Sequence, residues 1–293
     1  MFRRFNRAQY AAIAITAGAL AAAGCSASQS SNSASHPSGG AAATPSGGGS
    51  SLATAKDAIQ LAAQHAQRVT SFAATMNMQA TGLEKITMAG TLQEQTQPAP
   101  VFAASFATVS AQGQTVPGGM QEIVNSSALY LKMAQLSRQT GKPWIKIPAS
   151  ELSKAFGASF GQLLQQESND NPLVKTEMLA SSTNVKRVGT ATVDGVQTTE
   201  YTGSYPISAG LAKLPASLRA KIEPQIQAMG LQNDNFRIWL DGQQQVRKVV
   251  TSDQGTKEQV TSTIQVTSIN QPVSATPPPA SQTATVPASA FGG

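Results

Sequence analysis

The sequence predicts an α+β domain in which a long antiparallel sheet, obliged to twist and curl, carries helices inserted in blocks. Three observations predict it. Between residues 71 and 133 runs of alternating apolar and polar residues succeed one another across short turn-rich breaks, the pattern of half-buried strands in a meander. From 150 to 179 the apolar spacing changes to threes and fours. From 186 to 250 two β-hairpins, each with a central Asp-Gly, enclose an Ala/Leu/Lys-rich stretch punctuated by proline.

At the start of the chain, Arg3, Arg4 and Arg7 precede an uncharged run from Ala8 to Ala23 that ends in Gly24-Cys25. A basic head, an apolar stretch and a small-residue cleavage site in that order mark an export signal over residues 1–24. The run is too short and too Ala-rich for a transmembrane helix of about 20 residues. Ala22-Ala23-Gly24-Cys25 resembles a bacterial lipobox, with Ala22 standing where Leu is commoner. That resemblance implies that Cys25 is lipidated and becomes the mature N-terminus. A diacylglyceryl anchor would then hold the protein on the extracytoplasmic face of the cell membrane.

Cys25 is the single cysteine, which excludes intrachain disulfides and Cys-based metal sites. Residues 25–51 are Ser, Gly, Ala and Pro with almost nothing bulky to bury, so they form a flexible tether that contains His36. The formal charge is +6, but loss of three arginines with the signal leaves 18 Lys and Arg of the original 21 against 15 acidic residues. No basic cluster interleaved with aromatics remains, so nucleic acid is not an expected partner.

The folded region is expected over 52–270, long enough for one domain with its own core. A first helix places Leu52, Ile59, Ala62, Ala63, Ala66 and Val69 on one side, with Ser51 or Thr54 as cap; His65 is read as a surface residue. Phe72, Ala74, Met76, Met78 and Ala80 then alternate with polar residues, and Ile86, Met88, Gly90 and Leu92 repeat the pattern after Thr81-Gly82. Phe102, Ala104, Phe106 and Thr108 continue it. Residues 122–125 and 128–133 form a hairpin about Ser126-Ser127 with Leu129, Leu131 and Met133 on one face, and 144–147 adds a short segment.

Ser150 is placed to cap a helix whose stripe is Leu152, Phe156, Phe160, Leu163 and Leu164. A second helix is expected to start at Asn171-Pro172 and to run towards Leu179. In the first hairpin Asp194-Gly195 is the turn. In the second, Asp241-Gly242 is, with a loop that could extend through Gln245; Phe236, Ile238 and Leu240 share one face, and Arg237, Trp239 and Asp241 the other. Between the hairpins, Pro215 and Pro224 break residues 207–229 into short helices. A last strand over 259–269 has Val260, Ile264 and Val266 in phase and Ile269 out of phase, which predicts a bulge or an end. Residues 271–293, rich in Pro, Ala, Thr and Ser, are expected to be disordered.

The segments VDGVQTTEYTG and FRIWLDGQQQVRKVV, with the proline-punctuated connection between them, resemble the matching parts of the actinobacterial lipoprotein family typified by LppX and LprG. The likeness extends in order and type of element over residues 52–270. It implies a LolA-like unclosed barrel, a strongly curved sheet whose concave face is covered by helices with a hydrophobic cavity between. Such a cavity would be lined by the apolar strand faces and the helix stripe: Phe72, Met76, Met78, Ile86, Met88, Leu92, Phe102, Phe106, Leu131, Met133, Phe156, Phe160, Ile238 and Leu240.

No catalytic pattern stands beside this. There is no Gly-x-Ser-x-Gly elbow, no His-Glu-x-x-His and no phosphate loop, and with His36 and His65 as the two histidines a Ser-His-Asp triad is almost unavailable. No cofactor or metal is called for, and Asp170, Glu177 and Glu200 are read as solvated structural residues. The expectation is a non-enzymatic, membrane-anchored carrier of lipid or glycolipid that exchanges with an envelope transporter. Its alternative is an envelope lipoprotein that acts as a scaffold, an interaction protein or a lipid sensor.

Overall fold

The computed structural model describes residues 54–82, 85–156, 179, 182, 184–211 and 216–291. Cys25, the tether, Phe160 and the expected helix from Asn171 to Met178 lie outside the described residues, as do Asp170 and Glu177. Phe156 ends a helix, and its side chain is also outside them.

Helix α1, Ala55–Ala66, opens the domain, and of the two candidate caps it is Thr54 that serves: its Oγ1 accepts from the Asp57 amide at 3.1 Å. Five strands follow, β1 Ser71–Gly82, β2 Ile86–Gln95, β3 Val101–Ala111, the two-residue β4 Gln114–Thr115 and β5 Met120–Asn125. Next come β6 Ala128–Lys132, helix α2 Ala134–Thr140, β7 Trp144–Pro148 and helix α3 Ala149–Phe156. The second half holds β8 Lys186–Val193, β9 Val196–Pro206, α4 Ile207–Leu211, α5 Ala216–Met229, β10 Leu231–Asp241, β11 Val246–Gly255 and β12 Glu258–Ile269. A short strand β13, Thr283–Thr285, lies between two 3₁₀ turns.

These thirteen described strands make one curved, unclosed sheet in the order β13-β7-β6-β5-β3-β2-β1-β12-β11-β10-β9-β8, with β4 beside β3. The expected α+β architecture is present. The two halves of the sheet join through β1 and β12, which pair antiparallel from Phe72–Ile269 to Gly82–Glu258, so that the last long strand returns to the first.

Several expectations are corrected. The chain beyond Gln271 is not without structure: β13 pairs parallel with β7, Val286 is buried, and its amide donates to the Lys146 carbonyl at 2.9 Å. The sheet is therefore mixed. The tail is anchored on the way, with the Ser71 hydroxyl donating to Gln271 O and the Ser274 amide to Gln93 Oε1. Proline and alanine supply no strand pattern, but three residues suffice to cover an open edge.

Thr108 does not continue the inward face of β3. Between Ala89 and Gly90 of β2 the register with β3 skips Ala107, a β-bulge that turns Thr108 outward and Val109 and Ala111 inward. Gly90 permits the bulge, because a Cβ there would lie 2.1 Å from the Ser105 carbonyl oxygen. The bulge expected near Ile269 is present, with Thr267 skipped between Ser268 and Val266 opposite Ala73 and Ala74.

The first hairpin has positive φ at both Asp194 and Gly195, the geometry of a tight primed turn. In the second the positive φ falls on Gln244 instead of on Asp241-Gly242. The Asp241 carboxylate organises that longer loop: Oδ1 accepts from the Gln243 and Gln245 amides, and Oδ2 from Arg247 at 2.7 Å. Asp241 is consequently buried although it belongs to the outward set. Pro224 does not break a helix, since α5 runs through it. Pro224 and Ala220 are both exposed, so the carbonyl that loses its helical donor faces water. Helix α3 starts at Ala149 directly after β7, with Ser150 inside its first turn instead of before it.

Candidate ligand-binding face

Cross-strand pairing converts the linear alternation into rows of side chains running across one face of the sheet. The central row is Tyr201–Ile238–Val249–Ile264–Met76–Gly90–Phe106–Met120, from β9 to β5. Beside it runs Gly203–Phe236–Thr251–Ser262–Met78–Met88–Val109. On its other side Val266–Ala74–Leu92–Ala104–Glu122–Leu131–Ile145 continues to β7. This inner face joins α1, through Ala58, Ile59, Ala62 and Ala66, in one continuous apolar cluster.

Every sequence-predicted lining residue whose side chain is described falls in or against that cluster. Phe72, Met78, Ile86, Met88, Leu92, Phe106, Leu131, Met133, Ile238 and Leu240 are buried, while Met76 and Phe102 are half-buried against it. Met133 reaches it from the N-cap position of α2 and not from a strand. In the central row, burial is lowest at the middle. Val249, Ile264 and Met76, adjacent on β11, β12 and β1, are half-buried, whereas Tyr201 and Ile238 on one flank and Phe106 and Met120 on the other are buried.

The inner face also holds polar groups that the sequence reading missed. One row is Tyr205–Asp234–Asp253–Val260–Ala80–Ile86–Ala111. The Tyr205 phenol donates to Asp234 Oδ2, and both residues are buried; Asp234 Oδ1 has no hydrogen-bond partner. Burial first, then the charges of Asp234 and Asp253, push the Tyr205 phenol well above the ordinary value of 10.0. Glu122 is buried among Met120, Val124, Ala104 and Leu131. The signal was alternation itself: Asp234 is in phase with Phe236, and Glu122 with Met120 and Val124.

Glu200 is not solvated but buried, and its Oε1 accepts from Arg237 Nε at 2.7 Å. His65 is half-buried beside Val246 and Ile269. Among the described residues no group of three or more His, Cys, Asp or Glu is placed to hold a metal ion. No helix among them is long and apolar enough to cross a membrane.

No known family profile matches the sequence. An uncharacterized 31.2 kDa protein of Streptomyces griseus, from the rplA-rplJ intergenic region, is 30% identical over 129 residues, a match that spans 42% of each chain. Among solved structures the chain is similar to LprF from Mycobacterium bovis, with a TM-score of 0.48 and 13% identity over 76% of this chain and 96% of that one. It is likewise similar to the Mycobacterium tuberculosis lipoprotein LppX, with a TM-score of 0.43 and 18% identity over 76% and 98%.

Proposed function

We propose that this chain is a lipid-anchored cell-envelope protein that binds and carries a lipid or glycolipid over the inner face of its sheet, without catalysis. The supporting observation is the half-buried strip Val249–Ile264–Met76 between buried flanks. A solid core is most deeply buried at its centre, because interiors pack to crystal-like density. Here the gradient is reversed, and the groups left partly open are a methionine and two β-branched aliphatics.

An acyl chain laid along this strip needs no polar chemistry, since each buried CH₂ is worth about 0.8 kcal/mol. Methionine at positions 76, 78 and 88 of neighbouring strands provides adaptable walls for chains of different shape. The anchor at Cys25 and the tether would keep the domain at the membrane while it exchanges cargo with an envelope transporter.

Native mass spectrometry of the mature chain, released from membranes in a mild detergent, tests the reading. Co-purifying lipid at a fixed stoichiometry is expected; a protein that stays empty after incubation with envelope lipid extract would overturn it in favour of a scaffold. The anchor is tested separately. A fatty-acid probe should label the wild-type protein and leave Cys25→Ala unlabelled.

A further inference from the structure

The carrier reading concerns acyl chains and leaves unexplained a carboxylate on the same inner face. Asp234 is only 6% exposed. It lies on β10 between Tyr205 of β9 and Asp253 of β11, its cross-strand neighbours on one face. Its Oδ2 accepts the Tyr205 proton, and its Oδ1 is shut from water with no donor. Asp253 is close enough to act on the Tyr205 phenol through its charge.

Among the described residues no ion pair reaches Asp234. In the next row Phe236 is buried, with its ring 6.4 Å from that of Tyr205, and helices α4 and α5 pack on β10. A buried carboxylate oxygen without a donor is a site prepared for one. Tyrosine donates to the other oxygen and so fixes the carboxylate's orientation. With a second carboxylate across the strand pair, the local field favours a donor that is also a cation.

From this the geometry points to Asp234 as the receptor for an alkylammonium group, positioned by Tyr205 and drawn in by Asp253. The inference rests on the carrier reading for its context, because the half-buried strip begins on the neighbouring strand, at Val249 of β11, two rows along from the Asp234–Asp253 pair. A ligand with its chain on that strip would bring an amine-bearing headgroup to Asp234. The same ammonium chemistry could come from an aminolipid or from a free alkylamine.

The full chain is incubated with phosphatidylcholine vesicles containing either phosphatidylethanolamine or phosphatidylglycerol of identical acyl chains, and bound lipid is counted by native mass spectrometry. In parallel, ethylammonium chloride is titrated into protein carrying ¹³C-labelled aspartate carboxyls, with the Asp234 signal identified by its loss in Asp234→Asn. Phosphatidylethanolamine is expected to be taken up in preference. Asp234→Asn should cut that uptake about tenfold, the scale of one charge-assisted hydrogen bond, and leave phosphatidylglycerol uptake unchanged.

Ethylammonium should move the Asp234 carboxyl signal, and Tyr205→Phe, which keeps the ring, should weaken the response without abolishing it. If Asp234→Asn fails to fold, the Asp234 signal is identified instead by its displacement in Tyr205→Phe, which removes the donor on Oδ2, and that variant and the titration carry the test. A response to ethylammonium with no lipid of either kind bound would leave the ammonium site standing with a free amine as its ligand, and would remove the carrier. An unmoved Asp234 signal, or equal uptake of the two lipids in both proteins, overturns the site whatever becomes of the carrier.

Discussion

Arg237 and Lys248 hold the Trp239 indole between them on the outer face of the sheet, the guanidinium carbon 5.0 Å and the ammonium nitrogen 4.9 Å from the ring centroid. Trp239 points away from the core, yet is only 5% exposed. Lys248 is its cross-strand partner on β11, Glu200 its partner on β9, and Glu200 in turn accepts from Arg237. Two cations, one ring and one carboxylate thus cover the outer surface of three strands. Stripping the ring should cost more than removing either cation: about 3 kcal/mol for Trp239→Ala by large-to-small precedent, against about 0.5–1 kcal/mol for Lys248→Ala. Arg237→Ala should fall between them, at about 1–2 kcal/mol, because it also leaves the buried Glu200 oxygen without its donor. Urea unfolding followed by circular dichroism measures all three, and an equal loss from Trp239→Ala and Lys248→Ala would show that the ring is not packed as described.

What the sequence showed and what it hid divide along a physical line. Alternation reports which face a side chain takes while the ladder is regular, so Phe72, Met78, Met88, Leu92 and Ile238 were legible as inward residues. An inserted residue leaves no mark in composition, which is why the Ala107 bulge displaced Thr108 without warning. Alternation is equally silent on how well a face is covered: nothing distinguishes half-buried Met76 from buried Met78 two residues on. Short elements held by tertiary contact escaped for a related reason. Strand β13 exists because β7 presents an open edge to it, and helix α2 spans seven residues whose one local mark is Gly141, in left-handed conformation at its C-terminus.

The glycine at the bulge provides a sharp test of that geometry. Gly90→Ala would drive a methyl group to 2.1 Å from the backbone oxygen of Ser105, and a carbonyl inside a ladder cannot swing aside as a side chain can. A loss of about 2–3 kcal/mol is expected, in the range of overpacked cores. Gly189, on the edge strand β8, has nothing within 4 Å of its virtual Cβ and no positive φ. Gly189→Ala should therefore stay within about 0.5 kcal/mol of wild type. Thermal unfolding of the two variants side by side checks the contrast.

Tyr205 makes stability depend on alkaline pH. Burial and the neighbouring carboxylates raise its folded-state pKa above the 10.0 that the unfolded chain shows, so folding favours the protonated phenol. Its contribution is complete below pH 10.0 and is lost as the pH rises from there towards the folded value, because the unfolded chain then releases a proton that the folded chain keeps. Denaturant midpoints measured from pH 8 upward should fall above pH 10.0, and Tyr205→Phe should flatten that limb. A limb of unchanged steepness in Tyr205→Phe would assign it to other groups.

The C-terminal segment closes the β7 edge. Ending the chain after Gln271 removes β13, the buried Val286 and the Lys142 contact with Ser281 O. Loss of one buried valine and a short ladder is worth about 2–3 kcal/mol. The bared strand should also recruit a second copy, since an uncovered edge is a template for pairing. Size-exclusion chromatography coupled to light scattering would register a shift towards dimer in the truncated protein, and a monomer of undiminished stability would mean that the strap is not needed.

Filling the half-buried strip separates a hollow from a solid core by the sign of the effect. Met76 sits on β1 between Ile264 and Gly90, and Gly90 contributes no side chain to the row. If space for a ligand lies over it, Met76→Trp should occupy that space, leave stability unchanged or raise it by about 1 kcal/mol through added apolar burial, and lower the bound lipid per protein. If the interior is already full, the larger ring must displace its neighbours at a cost of about 1–3 kcal/mol. Met120 is buried in the same row and is the internal control. Met120→Trp should be destabilising under either description, so that only a difference in sign between the two variants supports a hollow over the middle of the sheet.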